Sequence, residues 1–93
     1  MSEADDGVLL IVVEDSFHVA ERGVIPVPPI PLAMCEKYAI AQGREVRLIL
    51  PDGTEQRTFI AGVEFFSRGV GRTILLPLPF GQVPKGTRIL LIT

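Results

Sequence analysis

Glu45-Val46-Arg47-Leu48-Ile49-Leu50-Pro51-Asp52-Gly53-Thr54 is the stretch on which the fold reading turns. Val46, Leu48 and Leu50 alternate with other residues, so they share one face of an extended chain. Asp52-Gly53 then sits between this strand and a return run from Glu55 through Phe59 to Phe66. Asp-Gly between two such runs predicts a hairpin, because both residues tolerate the positive φ that a type I′ turn demands. A strand pairing with its sequence neighbour is antiparallel, and the rest of the chain is read outward from that pair.

On the N-terminal side, Val8-Leu9-Leu10-Ile11-Val12-Val13 is a continuous aliphatic run that reads as a strand shielded on both faces, and it stops at Glu14-Asp15. Gly23 to Val27 is a second apolar run. Pro26, Pro28, Pro29 and Pro31 cannot donate ladder hydrogen bonds, so this strand is expected to be short, at an edge, or to leave the sheet at Pro28-Pro29. Residues 32–41 are compatible with a helical turn or with a strand near residues 38–41. On the C-terminal side, Gly62 suggests a bulge or a close backbone approach, and Arg72 to Leu78 is a strand ended by prolines. Val83-Pro84-Lys85-Gly86 has the residues of a type I turn, and Thr87 to Ile92 is the last strand.

Composition agrees with this outline. The chain has 93 residues, so it accommodates one domain, expected to span residues 8–93 behind an acidic tail at 1–7. Nine Gly and eight Pro leave little room for long helices, while 47% apolar residues suffice for a core. The expected class is all-β: a small, closed antiparallel barrel, which removes exposed strand edges.

Charge and cysteine content narrow the function classes. All six charged residues among the first 21 are acids, and the remainder of the chain carries nine bases against five acids. That balance falls short of the basic stripe that drives nucleic-acid binding by counterion release. The single Cys35 forms no internal disulfide and cannot alone build a zinc site. No basic leader and no apolar stretch long enough to span a bilayer is present, so a cytoplasmic location without membrane contact is expected.

Catalytic chemistry finds little to stand on. His18 is the sole histidine, and its neighbours Asp15 and Ser16 do not form a triad merely by adjacency. Gly69-Val70-Gly71 lacks the third glycine of a dinucleotide fingerprint, and no phosphate loop occurs. Neither a cofactor nor GTP binding is expected, and no enzyme activity. The proline-rich segment and Phe65-Phe66 remain as contact surfaces for another protein, the former through residues 26–34.

Three segments carry a resemblance. Glu14-Asp15-Ser16-Phe17 with Arg22-Gly23, then Gly43-Arg44-Glu45-Val46 followed by Gly62-Val63-Glu64-Phe65-Phe66, then Val83-Pro84-Lys85-Gly86-Thr87-Arg88-Ile89-Leu90 occur in the order of the second domain of elongation factor Tu and related translational GTPases. The chain resembles that domain over about residues 10–92. The resemblance implies a translation-factor domain-2-like closed barrel of about six to seven strands. It also implies a ligand site for the aminoacyl end and terminal adenosine of tRNA at Glu14, Asp15, Phe17 and Glu64. Carboxylates accept hydrogen bonds from an amino group or ribose hydroxyls, and an aromatic ring stacks on a base.

The departures are equally specific. The GTPase domain that forms the other wall of that pocket is not in this sequence, and Ile25-Pro26-Val27-Pro28-Pro29 replaces the polar residues that follow Arg-Gly in the family. Ser67 stands where the family has a basic residue, with Arg68 one place later. The functional expectation is therefore a non-catalytic, free-standing binding module for a protein partner. The alternative is weak binding of the aminoacyl-tRNA 3′ end or ribosomal RNA, with Arg22, Pro28, Pro29, Phe66 and Arg68 as further contact residues.

Overall fold

A computed structural model describes residues 7–65, 71–79 and 81–92. The elements are β1 (Gly7–Val12), β2 (Asp15–Val19), β3 (Gly23–Val27), β4 (Ile30–Pro31), α1 (Leu32–Lys37), β5 (Glu45–Ile49), β6 (Glu55–Phe59), β7 (Gly62–Phe65), β8 (Gly71–Leu75) and β9 (Arg88–Ile92). Strands account for 53% of the described residues. They form a four-stranded sheet in the order β1-β9-β5-β6, a β2-β3 hairpin, and a three-stranded sheet β4-β8-β7, all antiparallel.

The expected closed barrel is not formed, since none of the three sheets closes on itself. Two bridging hydrogen bonds of 2.9 Å between Val24 and Leu76 join the hairpin to the three-stranded sheet, but no ladder extends from them. The physical reason lies in the prolines. Glu14 N–H donates to Val27 O, so β3 flanks the beginning of β2 on the side away from β9. To close the ring, β3 would have to continue along β1. Pro28 and Pro29 have no N–H to offer, and the chain turns away to pair Ile30 with Arg72 of β8 instead.

The β5–β6 hairpin falls where the alternation puts it. Val46 and Leu48 are fully buried and Leu50 packs against the core. Its turn differs from the two-residue type expected. Leu50 N–H donates to Thr54 O, Gly53 N–H donates to Leu50 O, and Gly53 has φ 90°. This is a three-residue loop, a type I turn with Pro51 in its second position followed by a left-handed glycine. The Thr54 N–H also donates to Asp52 Oδ1 at 2.9 Å, and this bond holds the Asp52 carboxyl below its ordinary pKa. A carboxylate depressed in the folded state adds stability above its unfolded pKa and loses it as pH falls through the folded value. Wild type should therefore melt above an Asp52→Asn variant at neutral pH, with the two melting temperatures converging in acid. A gap that persists unchanged to low pH would contradict this origin.

Other local expectations are adjusted. The run from Glu55 divides into β6 and β7 at Ile60-Ala61, and Gly62 pairs regularly with Leu75 rather than forming a bulge. The irregularity lies in β1, where the register shifts between Leu9 and Ile11. The last turn is displaced by one residue, with Thr87 N–H donating to Pro84 O. Residues 32–37 are helical; Cys35 faces the core and Arg44 Nη1 donates to the carbonyls of Tyr38 and Ala39 at 2.7 and 2.9 Å, closing the helix C-terminus.

Candidate binding surfaces

Residues directly opposed in antiparallel strands share a face, so register identifies what each sheet presents. In the four-stranded sheet, Val8, Leu91, Val46 and Thr58 form one inward row, and Ile11, Ile89, Leu48 and Gln56 the next. The outward rows are Leu9, Leu90, Arg47 and Arg57, then Val12, Arg88, Ile49 and Glu55. Phe59 and Glu45 are opposed on that same outer face. Leu9, Val12 and Phe59 are 46%, 48% and 48% exposed, and Ile49, Leu90 and Ile92 are partly exposed. Arg47 lies among them with Nε 3.7 Å from Glu55 Oε1, an ion pair beyond hydrogen-bond distance.

The residues carried over from the resemblance divide into two groups. Glu14 follows β1, and Asp15 and Phe17 lie on β2; all three are exposed, with Phe17 at 56%. Asp15 Oδ1 accepts the Ser16 N–H at 2.8 Å. Glu64 is exposed on β7 opposite Thr73, three strand steps from β2 across β3 and β8. Strand pairing therefore unites Glu14, Asp15 and Phe17 but leaves Glu64 in a different sheet. Phe66 and Arg68 lie outside the described residues. Pro28 is exposed and Pro29 partly buried in the link between β3 and β4. Within residues 26–34, Pro26 and Ile30 are buried and Met34 packs against the core, while Pro31 and Ala33 are exposed, so the segment divides between core and surface.

Arg22 lines a groove of about 400 Å³ with His18, Glu21, Gly23, Pro77, Leu78 and Pro79. Two backbone features build it. Glu21 takes a left-handed φ of 64° in the turn closed by Arg22 N–H donating to Val19 O, which swings Arg22 toward the proline segment. Gly23 then lets the backbone lie against the Leu76 carbonyl. The groove was not foreseen, because it joins segments more than fifty residues apart. The only local signals are Gly after Arg and the Pro-x-Pro spacing at 77–79.

Reactive chemistry is not concentrated at any of these surfaces. Burial pushes the Cys35 thiol above its ordinary pKa, the reverse of what a nucleophile requires, and its Sγ donates to Ile30 O at 3.5 Å. Among the described residues no group of His, Cys, Asp and Glu could hold a metal ion, and no helix is long and apolar enough to cross a membrane. No family model, no curated protein and no solved structure matches this chain.

Proposed function

We propose that this chain is a non-catalytic binding module whose partner is a protein met on the outer face of the four-stranded sheet. The observation that supports this most directly is the grouping of Leu9, Val12 and Phe59, each about half exposed, with Ile49, Leu90 and Ile92 between them. Single exposed apolar residues are ordinary, whereas here they are interleaved across one sheet face with Arg47, Arg57, Arg88 and Glu45, and apolar side chains mixed with arginine are the composition of an interface. Pull-down with wild type and with a Leu9→Lys, Phe59→Lys double variant tests it. Recovery of a stoichiometric protein by wild type and its loss in a variant of unchanged melting temperature is expected. Equal recovery by both proteins removes this face from the reading.

A second reading, binding of an aminoacyl-tRNA 3′ end, draws support from Phe17, whose ring is open to solvent beside the exposed carboxylates of Glu14 and Asp15. An aromatic face next to hydrogen-bond acceptors suits a nucleoside carrying an amino group. NMR titration with a CCA-ended aminoacyl mimic is expected to shift these three residues. No movement at millimolar ligand would sink it.

A further inference from the structure

We propose that the outer face of the four-stranded sheet takes an acidic segment of its partner protein, whose carboxylates dock on Arg47, Arg57 and Arg88. The proposal rests on the protein-binding reading and deepens it by naming the chemistry of the partner. It begins from the register of three strands. Arg47 on β5 stands directly opposite Arg57 on β6, and its neighbour on β9 is Leu90, two residues from Arg88 on the same face. Arg88 is thus diagonal to Arg47, and the three bases form one cluster across adjacent strands.

Like charges set directly opposite each other destabilise a sheet, and the fold supplies little counter-charge here. Glu45 and Glu55 share the face, but the ion pair found among the described residues is Arg47 Nε to Glu55 Oε1 at 3.7 Å, beyond hydrogen-bond distance. The Glu55 side chain is 55% exposed, so water weakens that pair. Arg47 is only 11% exposed, and its Nε is enclosed without a hydrogen bond. A cation withdrawn from water and incompletely paired is costly, and an anion brought to it from outside offsets part of that cost. Arg57 and Arg88 are exposed and make no ion pair among the described residues, so their planar forks are the groups that a docking carboxylate reaches.

The other described bases are not gathered in this way. Arg44 is tied to the carbonyls of Tyr38 and Ala39, and Lys37 lies 5.4 Å over the Tyr38 ring. Arg22 adjoins Glu21 in the groove, Lys85 lies in the last turn, and Arg72 on β8 is opposed by Ile30 and Phe65.

The rest of the face selects the occupant. Leu9, Val12, Ile49 and Leu90 offer nothing to a phosphodiester backbone, and Glu45 and Glu55 repel one. Three bases against two acids also fall short of the charge that drives nucleic-acid binding. A second copy packed on the same face would set one excess of arginine against another. A foreign segment that places aspartate or glutamate among apolar residues meets neither obstacle: its carboxylates pair with the guanidiniums while its apolar side chains cover Leu9 and Val12.

The test uses the whole chain and a short peptide with paired glutamates on either side of a leucine pair. In an NMR titration this peptide is expected to shift the Nε–H signals of Arg57 and Arg88 and the amide of Leu90. Binding should weaken about fivefold when glutamines replace its glutamates, and also in an Arg57→Gln, Arg88→Gln variant, whose substitutions lie on the surface. Sedimentation of the protein alone should give a monomer. Absence of these shifts at millimolar peptide overturns the proposal, as does equal affinity for the glutamine peptide, tighter binding of oligothymidylate, or a dimer that moves the same signals. A partner protein that is lost in the Leu9→Lys, Phe59→Lys pull-down but kept by the Arg57→Gln, Arg88→Gln variant also overturns it, and leaves the outer-face reading standing.

Discussion

Replacing Gly23 by alanine is expected to lower the unfolding free energy by about 4 kcal/mol or more, enough to bring the melting temperature down by roughly 20 °C. A Cβ at this position would stand 2.0 Å from the Leu76 carbonyl oxygen, 2.9 Å from its carbon and 3.1 Å from Pro77 Cα. All three are backbone atoms, so no side-chain rotation relieves the overlap. The only escape is to separate the two strands, which breaks the paired hydrogen bonds between Val24 and Leu76. Those bonds are the link between the hairpin and the three-stranded sheet, and Val24 and Leu76 are both fully buried. The left-handed φ of 141° adds strain of its own. Gly53→Ala separates the two effects, since its φ is 90° but nothing lies within 4 Å of the added carbon. It should cost about 1 kcal/mol. Urea unfolding of both variants checks the contrast, and similar losses would show that the Leu76 approach has room to relax.

The same glycine shows how far local sequence reaches. Arg22-Gly23 stands out in the chain, but nothing nearby says that residue 76 will press on it. Alternation at Val46, Leu48 and Leu50 and the Asp-Gly pair are local signals, and the hairpin they imply is where they place it. The turn type was less legible, because Pro51 fixes its own φ and brings a third residue into the loop. α1 is six residues, under two turns, so its apolar positions never repeat often enough to register as a helix.

The expected closure fails through a longer-range contact. The exit of the chain at Pro28-Pro29 was visible, yet its consequence depends on Val27 lying beside Glu14, a contact that no local pattern encodes. The uniform run from Val8 to Val13 reads as a strand shielded on both faces, whereas the structure leaves Leu9 and Val12 about half exposed on its outer face. Without alternation it cannot say that Leu9 and Val12 point outward, and the register shift before Ile11 changes the parity midway. Of the carried-over site residues, the three contiguous ones were legible as a group because a strand keeps near neighbours near. Glu64 belongs to another sheet, and only the strand order reveals it.

Leu48→Ala should destabilise the protein by about 3 to 4 kcal/mol, while Leu9→Ala in the same sheet should cost about 0.5 kcal/mol or less. Leu48 is fully buried on β5, an inner strand, with Ile89 opposite on one side and Gln56 on the other. Its truncation loses the transfer energy of the side chain and leaves a void that strands on both sides hold open. Leu9 sits two strands away on the opposite face, with almost half its surface in water, so alanine there opens no cavity. The contrast carries functional weight. A residue whose removal leaves stability unchanged but abolishes partner recovery is acting at an interface, and Leu9 can be tested in that way while Leu48 cannot. Chemical denaturation at two protein concentrations measures both costs. If Leu9→Ala proves as damaging as Leu48→Ala, and more so at the higher concentration, the outer face is already covered by a second copy, and the surface proposed for a foreign protein is occupied by the protein itself.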